Sequence, residues 1–354
     1  MSKDPARLGY RMPAEWEKHM GTWLSWPKDP NTFPGDILPA VEEAYVSMVM
    51  TLAKGEDVHI LVNDQKTEAR VRALLKEADR VTFHHIRTVD VWIRDYGPTY
   101  VKGRDLALIK WVFNAWGNKY EDLKHDNESG EAIAESTGLR VFRPGVVLEG
   151  GSIDSNGQGT LLTTEQCLLN PNRNPGLGKA ELSKVMEENL GTPHTVWLKD
   201  GIEGDDTDGH VDDIARFVGP RTIVAAVEPN ESDPNHKALE ANLRLLRGAV
   251  DQDGRSLEVV EIPMPERLSS ADTRLPASHL NFYIANRAVL VPTFGGDSDG
   301  EAVRILEEQF PDREVAAIDC RALVYGLGTL HCVSQQIPSF GQRAQRNAAA
   351  SALT

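Results

Sequence analysis

A short pair of strand-like segments joined at a Gly, Asn or Pro turn recurs along this chain, and the recurrence limits the possible folds more than any single motif. The pair reads in Asp95 to Ile109 around Lys102-Gly103, in Gly151 to Thr164 around Asn156-Gly157, in His210 to Val227 around Gly219-Pro220 and in Leu280 to Val291 around Asn286. A shorter relative begins at Cys332. Such turns join antiparallel strands because these residues accept the backbone angles a tight reversal needs. The starts lie roughly 50 to 70 residues apart, a spacing that signals repeated supersecondary units.

Between the pairs run helical stripes such as Val41, Tyr45, Met48, Val49 and Leu52, then Val71, Leu74 and Leu75, Leu182, Val185 and Met186, Leu239, Leu243 and Leu246, and Val303, Leu306 and Phe310. Single β-branched runs follow at strand length, as in Val58 to Val62, Leu257 to Ile262 and Glu314 to Ile318. No Gly-rich phosphate loop follows a strand, which argues against a dinucleotide fold. The pattern predicts an α/β chain of about five ββαβ-type modules around a pseudo-symmetry axis. One catalytic domain is expected over residues 1–340, with an Ala/Ser-rich tail over 341–354.

Charge narrows the partners. Thirty-eight Lys and Arg stand against 53 Asp and Glu, a formal −15, so nucleic acid and anionic membranes are disfavoured and a small cation is favoured. A homo-oligomer is compatible with all of this. Three cysteines, Cys167, Cys320 and Cys332, form no disulfide framework and sit at no metal-finger spacing. With no signal-peptide stretch or membrane-length apolar run, a cytoplasmic, soluble protein is expected.

Reactive residue types gather where the strand pairs open: Trp92-Ile93-Arg94-Asp95, Leu148-Glu149-Gly150-Gly151, Asp206 to Asp212 with His210 at its centre, and His331-Cys332. Taken singly each has a structural explanation, since free cysteine is commonly buried and inert and aspartate favours turns. Together they are harder to explain by packing, because a radial fold would bring one opening from each module to a common centre. A cysteine nucleophile needs a histidine to move protons, the histidine needs a carboxylate, and a cationic substrate needs carboxylates to hold it.

On these residues the chain resembles the agmatine deiminases, grouped with the bacterial-type peptidylarginine deiminases in the guanidino-modifying superfamily of five-bladed α/β propellers. The resemblance runs almost end to end, through Met12 to Glu17 with Gly21 to Trp23, Trp92 to Pro98, Phe113 to Gly117, Leu148 to Ser152, Leu161 to Glu165, Asn172 to Pro175, Asp206 to Asp212, Asn281 to Ile284 and Gly326 to Cys332. It implies Cys332 as nucleophile, His210 as general acid and base, Glu149 as its orienting carboxylate, Asp95 and Asp212 as the guanidinium grip, and Trp92 in the pocket wall. It implies no metal and no organic cofactor. The reaction would be hydrolytic deimination through a cysteine-bound thiouronium, most simply agmatine to N-carbamoylputrescine and ammonia, a step of polyamine metabolism toward putrescine.

The chain departs from the family pattern at Gly326-Leu327-Gly328-Thr329-Leu330, where Gly-Gly-Gly-Asn-Ile is common, and at Tyr96, where Thr or His is commoner. Those positions bear on the far end of the substrate, so peptidylarginine stays as the alternative substrate. Arg94, the one motif cation that could meet a free arginine's carboxylate, should point away from the site on an alternating strand. Remoter readings are an amidinotransferase, a non-catalytic binder of cationic peptides or polyamines, and a metal hydrolase using His84, His85, Asp205, Asp206, Asp208, His210 and Asp212.

Overall fold

The computed structural model describes residues 4–340, so the tail expected over 341–354 lies outside the described residues. The fold is mixed α/β, and the same module is built five times in sequence. In the first complete copy, Thr99–Lys102 pairs antiparallel with Leu106–Ile109, the helix Asp126–Ser136 follows, and Arg140–Phe142 adds in parallel. The second pairs Asp154–Ser155 with Thr160–Thr164 and adds His194–Leu198 after the helix Lys179–Leu190. The third pairs Ala215–Phe217 with Thr222–Val227 and adds Glu258–Pro263 after Pro234–Gly248. The fourth pairs Tyr283–Ile284 with Ala288–Thr293 and adds Glu314–Asp319 after Ser298–Gln309.

The fifth copy is made by both ends of the chain. Ser334–Pro338 pairs antiparallel with His19–Ser25, and Asp57–Leu61 adds in parallel after the helix Leu38–Leu52. This explains why the unit at Cys332 looked short in the sequence: its second strand lies more than 300 residues earlier. A further helix, Gln65–Leu74, and strand, Val81–His84, extend this sheet. Central strands such as Leu106–Ile109 and Val289–Val291 are buried on both faces, as parallel pairing beneath a helix requires. Among the described residues no helix is long and apolar enough to cross a membrane.

The first strand of each module is preceded by a turn carrying a reactive residue. Asp95 lies on the helical turn Ile93–Tyr96, Glu149 stands at the N-cap of the turn Gly150–Ser152 and Asp212 lies on Val211–Asp213. Asn281 and Cys332 stand just before their strands. Arg94 therefore sits on a helical turn and not on a strand as expected. It is buried, and its guanidinium donates to Gln336 Oε1 at 2.7 Å and to the His331 carbonyl at 3.2 Å.

Candidate active site

The five turns converge on a buried polar centre. Cys332 is 6% exposed, and its Sγ lies 3.8 Å from Asp212 Oδ2 and accepts a hydrogen bond from Asn281 Nδ2 at 3.1 Å. His210, 1% exposed, places Nδ1 3.8 Å from Asp95 Oδ1 and 4.0 Å from Asp212 Oδ1, and Nε2 3.8 Å from Glu149 Oε2. These separations exceed hydrogen-bond length. Neither ring nitrogen of His210 has a protein partner among the described residues, and the same holds for Asp212 Oδ1. Buried polar atoms are nearly always bonded, so three orphans in one buried centre mark a place where a ligand's donors and acceptors belong.

The carboxylates are held from behind. Asp95 accepts the Gly151 N–H on Oδ1 and the Trp116 indole N–H on Oδ2, both at 2.9 Å. Trp116 reaches it from a left-handed turn in which Ala115, Trp116, Gly117 and Asn118 all have positive φ. Such strain persists only where the surroundings enforce it, and here Asn114 Oδ1 caps the Gly117 N–H at 2.8 Å. Glu149 accepts Arg173 Nε on Oε1 at 2.9 Å, and Arg173 continues to Asp208 and the Thr207 carbonyl. Asp212 Oδ2 faces His331 Nδ1 at 2.7 Å, and His331 Nε2 faces Glu15 Oε2 at 2.9 Å. Glu15 Oε1 takes Arg216 at 2.9 Å.

The acidic run from Asp205 to Asp213 splits into separate jobs. Asp205 ties the loop by accepting the N–H groups of Thr207, Gly209 and His210. Asp206 and Asp208 pair with Lys119. Only Asp212 and Asp213 reach the centre. The metal-ligand set envisaged from sequence does not assemble, since His84 bonds His59 and His85 meets Glu68 at the surface. Glu149, Cys167 and His210 do bring ligand atoms within 4.8 Å of one another, but the Arg173 guanidinium on Glu149 opposes a second cation there.

Electrostatics follow from burial and neighbours. Burial opposes charge on His210, yet Asp95, Cys167 and Glu149 outweigh it and hold its pKa well above the usual value. Burial pushes the Cys332 thiol well up, and Asp212, Asp213 and Asp95 push the same way. Burial likewise raises Asp95. For Glu149 burial is overcome by Arg173, and for Asp212 by His331, so both stay below the ordinary carboxylate range.

The structure thus brings Cys332, His210, Glu149, Asp95 and Asp212 together, with Trp92 in the wall of a pocket of about 210 Å³ above the thiol. Sequence reasoning missed Asn281, Glu15, His331 and Trp116 as supports, although each lay inside a quoted motif. It also missed that Cys167 lies 3.9 Å from Glu149 Oε2.

The family model for Porphyromonas-type peptidyl-arginine deiminases matches residues 11–338. The agmatine deiminase of Stutzerimonas stutzeri (strain A1501) is 36% identical, over 96% of this chain and 98% of that protein. Among solved structures, the agmatine deiminase of Enterococcus faecalis superposes with a TM-score of 0.90 at 30% identity, covering 96% of this chain and 98% of that one. A C. jejuni agmatine deiminase gives 0.83 at 27%, covering 94% and 97%.

Proposed function

Because the chain belongs to the Porphyromonas-type peptidyl-arginine deiminase family, we propose that it hydrolyses the guanidino group of agmatine, releasing ammonia and N-carbamoylputrescine. The observation that carries the reading is the buried thiol of Cys332 3.8 Å from Asp212, whose Oδ1 has no protein partner among the described residues, in a centre where His210, 3.8 Å from Asp95 and 4.0 Å from Asp212, leaves both ring nitrogens unpartnered. A guanidinium brings the N–H donors and the positive charge that Asp212 and Asp95 call for. The same arrangement supports reading the five modules as a five-bladed pseudo-symmetric α/β propeller, since the last strand pairs with the first and each module opens at the shared centre.

The chemistry follows from these positions. Resonance makes the guanidinium carbon a poor electrophile, so Asp95 and Asp212 hold it in line with Sγ. Burial and the nearby carboxylates hold the thiol pKa high, and a bound cation offsets the carboxylates' part. The thiol loses its proton as the cation binds, the Sγ–C bond forms, the C–NH2 bond breaks, and His210, protonated, supplies the proton with which ammonia leaves. Glu149 faces Nε2 and keeps the imidazole in place. Water, deprotonated by His210, then attacks the thiouronium, the S–C bond breaks, and the ureido product departs.

Ammonia release from agmatine, free arginine and a blocked arginine peptide, measured side by side, tests the reading. Agmatine is expected to have the highest kcat/KM. A clear preference for the peptide would overturn it.

Gly151 is where packing and chemistry meet most closely. A Cβ there would stand 2.6 Å from His210 Nδ1, 2.9 Å from Asp212 Oδ2 and 3.0 Å from Asp95 Oδ1. Gly151→Ala must displace at least one of these groups, and misplacement near the reacting atoms costs on the order of 100-fold. Steady-state kinetics are expected to show that fall in kcat/KM; a variant within a few-fold of the parent would show that the three groups need no such exact spacing.

A further inference from the structure

The pocket above Cys332 is lined by the thiol, Asp95, Trp92 and Asp90, together with the exposed Asp122 and Tyr120. Among the described residues its lining holds five aspartates and no lysine, arginine or histidine. Most of that charge is already answered. Asp95 serves the guanidinium end, Asp206 pairs with Lys119 and takes the Tyr120 hydroxyl, and Asp122 is exposed to water. Asp29 accepts the Asn31 N–H at 2.9 Å.

Asp90 differs. It is 1% exposed, and its bonds come from neutral donors: Thr32 Oγ1 at 2.6 Å and Trp92 Nε1 at 2.9 Å on Oδ2, and the Val91 N–H at 2.8 Å on Oδ1. The nearby Lys28 ammonium is spent on Ser25, Thr88 and the Trp26 carbonyl. Oδ1 therefore keeps acceptor capacity. Burial, with Asp29 and Asp126 adding to it, pushes the Asp90 pKa up to about 6, so a cation placed here would be strongly favoured.

Trp92 sets the distance between this carboxylate and the thiol. Its Nε1 bonds Asp90, while at the far edge of the ring Cζ3 is 2.6 Å from where a Gly328 Cβ would sit, a point itself 3.2 Å from Cys332 Sγ. Carboxylate and thiol thus stand at opposite ends of one indole. A four-methylene tether, about 7 Å from guanidinium carbon to terminal nitrogen when extended, suits that span.

We propose that Asp90 reads the far end of the substrate, accepting a hydrogen bond from the primary ammonium of an ω-aminoalkylguanidine whose guanidinium lies between Cys332 and His210. The inference rests on the function proposed above. It explains selectivity as well, because the α-carboxylate of free arginine would enter a wall of aspartates with no basic side chain to meet it.

The test compares agmatine with 1-butylguanidine, which keeps the tether and lacks the ammonium, on the parent and on Asp90→Asn. In the parent, agmatine is expected to exceed butylguanidine roughly 100-fold in kcat/KM, the scale of losing one partner of a buried charge pair. In Asp90→Asn that ratio is expected to collapse toward one, chiefly through KM for agmatine. Equal losses for both substrates would overturn the proposal and leave Asp90 as a support for Trp92. Near-parity of the two substrates in the parent would overturn it without any variant, whatever Asp90→Asn does to folding. If the parent turns over a guanidine peptide and ignores agmatine, the proposed substrate itself has failed and this inference falls with it, whereas agmatine turnover that survives Asp90→Asn undiminished removes only the role of Asp90.

Discussion

Cys332→Ala is expected to abolish deimination, with kcat falling by at least about 10⁴-fold, because the proposed reaction runs through a covalent bond to its Sγ. The folded state should tolerate the change. Burial, with Asp212, Asp213 and Asp95 adding to it, holds the thiol pKa high, and its close bond is the weak one from Asn281. Thermal melts should therefore show a variant at least as stable as the parent. Rapid-quench mass spectrometry should trap, on the parent alone, an adduct equal to agmatine less ammonia. Cys320 is the matched control: its backbone N–H bonds the Thr293 carbonyl, its thiol is buried in the hydrophobic core, and Cys320→Ala should leave kcat nearly intact. Cys167 is a poorer control than sequence suggested, given its contact with Glu149. Ammonia release by Cys332→Ala at more than a trace rate would sink the thiol mechanism.

The modular plan was legible because each module's strand pair and helix are local in sequence, with turn residues and periodicities that physics reads directly. Asn156-Gly157 does mark a hairpin, and the stripe Leu239, Leu243, Leu246 does lie on one buried helix face. What stayed hidden was non-local. The pairing of Ser334–Pro338 with His19–Ser25 joins residues that no periodicity links. The support of Asp212 by His331 and of His331 by Glu15 spans 119 and 316 positions. Local geometry misled in one place, since Trp92-Ile93-Arg94-Asp95 read as a strand opening and folds as a helical turn. Its aspartate still reaches the centre, because the turn and not the strand presents it. Asp90 escaped notice for a different reason. An aspartate before Val91-Trp92 looks like any turn former until its burial and its neutral donors are seen together.

Replacing Asp95 or Asp212, the two aspartates proposed to grip the guanidinium, by asparagine should separate binding from scaffolding, because the two carboxylates are held differently. Asp212 Oδ2 faces His331, and Oδ1 has no protein partner among the described residues. An asparagine here can keep its oxygen toward His331, which turns its amide N–H groups toward the incoming cation. A donor then faces a donor and a buried charge pair is lost, so kcat/KM should drop roughly 1000-fold with a modest change in melting temperature. Both oxygens of Asp95 accept protein N–H groups, from Gly151 and Trp116. Asp95→Asn must set its amide against one of those donors, adding about 1–3 kcal/mol of destabilisation to a comparable kinetic loss. The thiol supplies a readout of opposite sign. Burial aside, Asp212 is the foremost cause of the raised Cys332 pKa, so Asp212→Asn should speed alkylation of Cys332 by iodoacetamide near neutral pH even as turnover collapses. A merely structural aspartate would reduce the folded fraction, and both rates would fall together. If Asp212→Asn slows alkylation and deimination in parallel, the cation grip belongs to another residue.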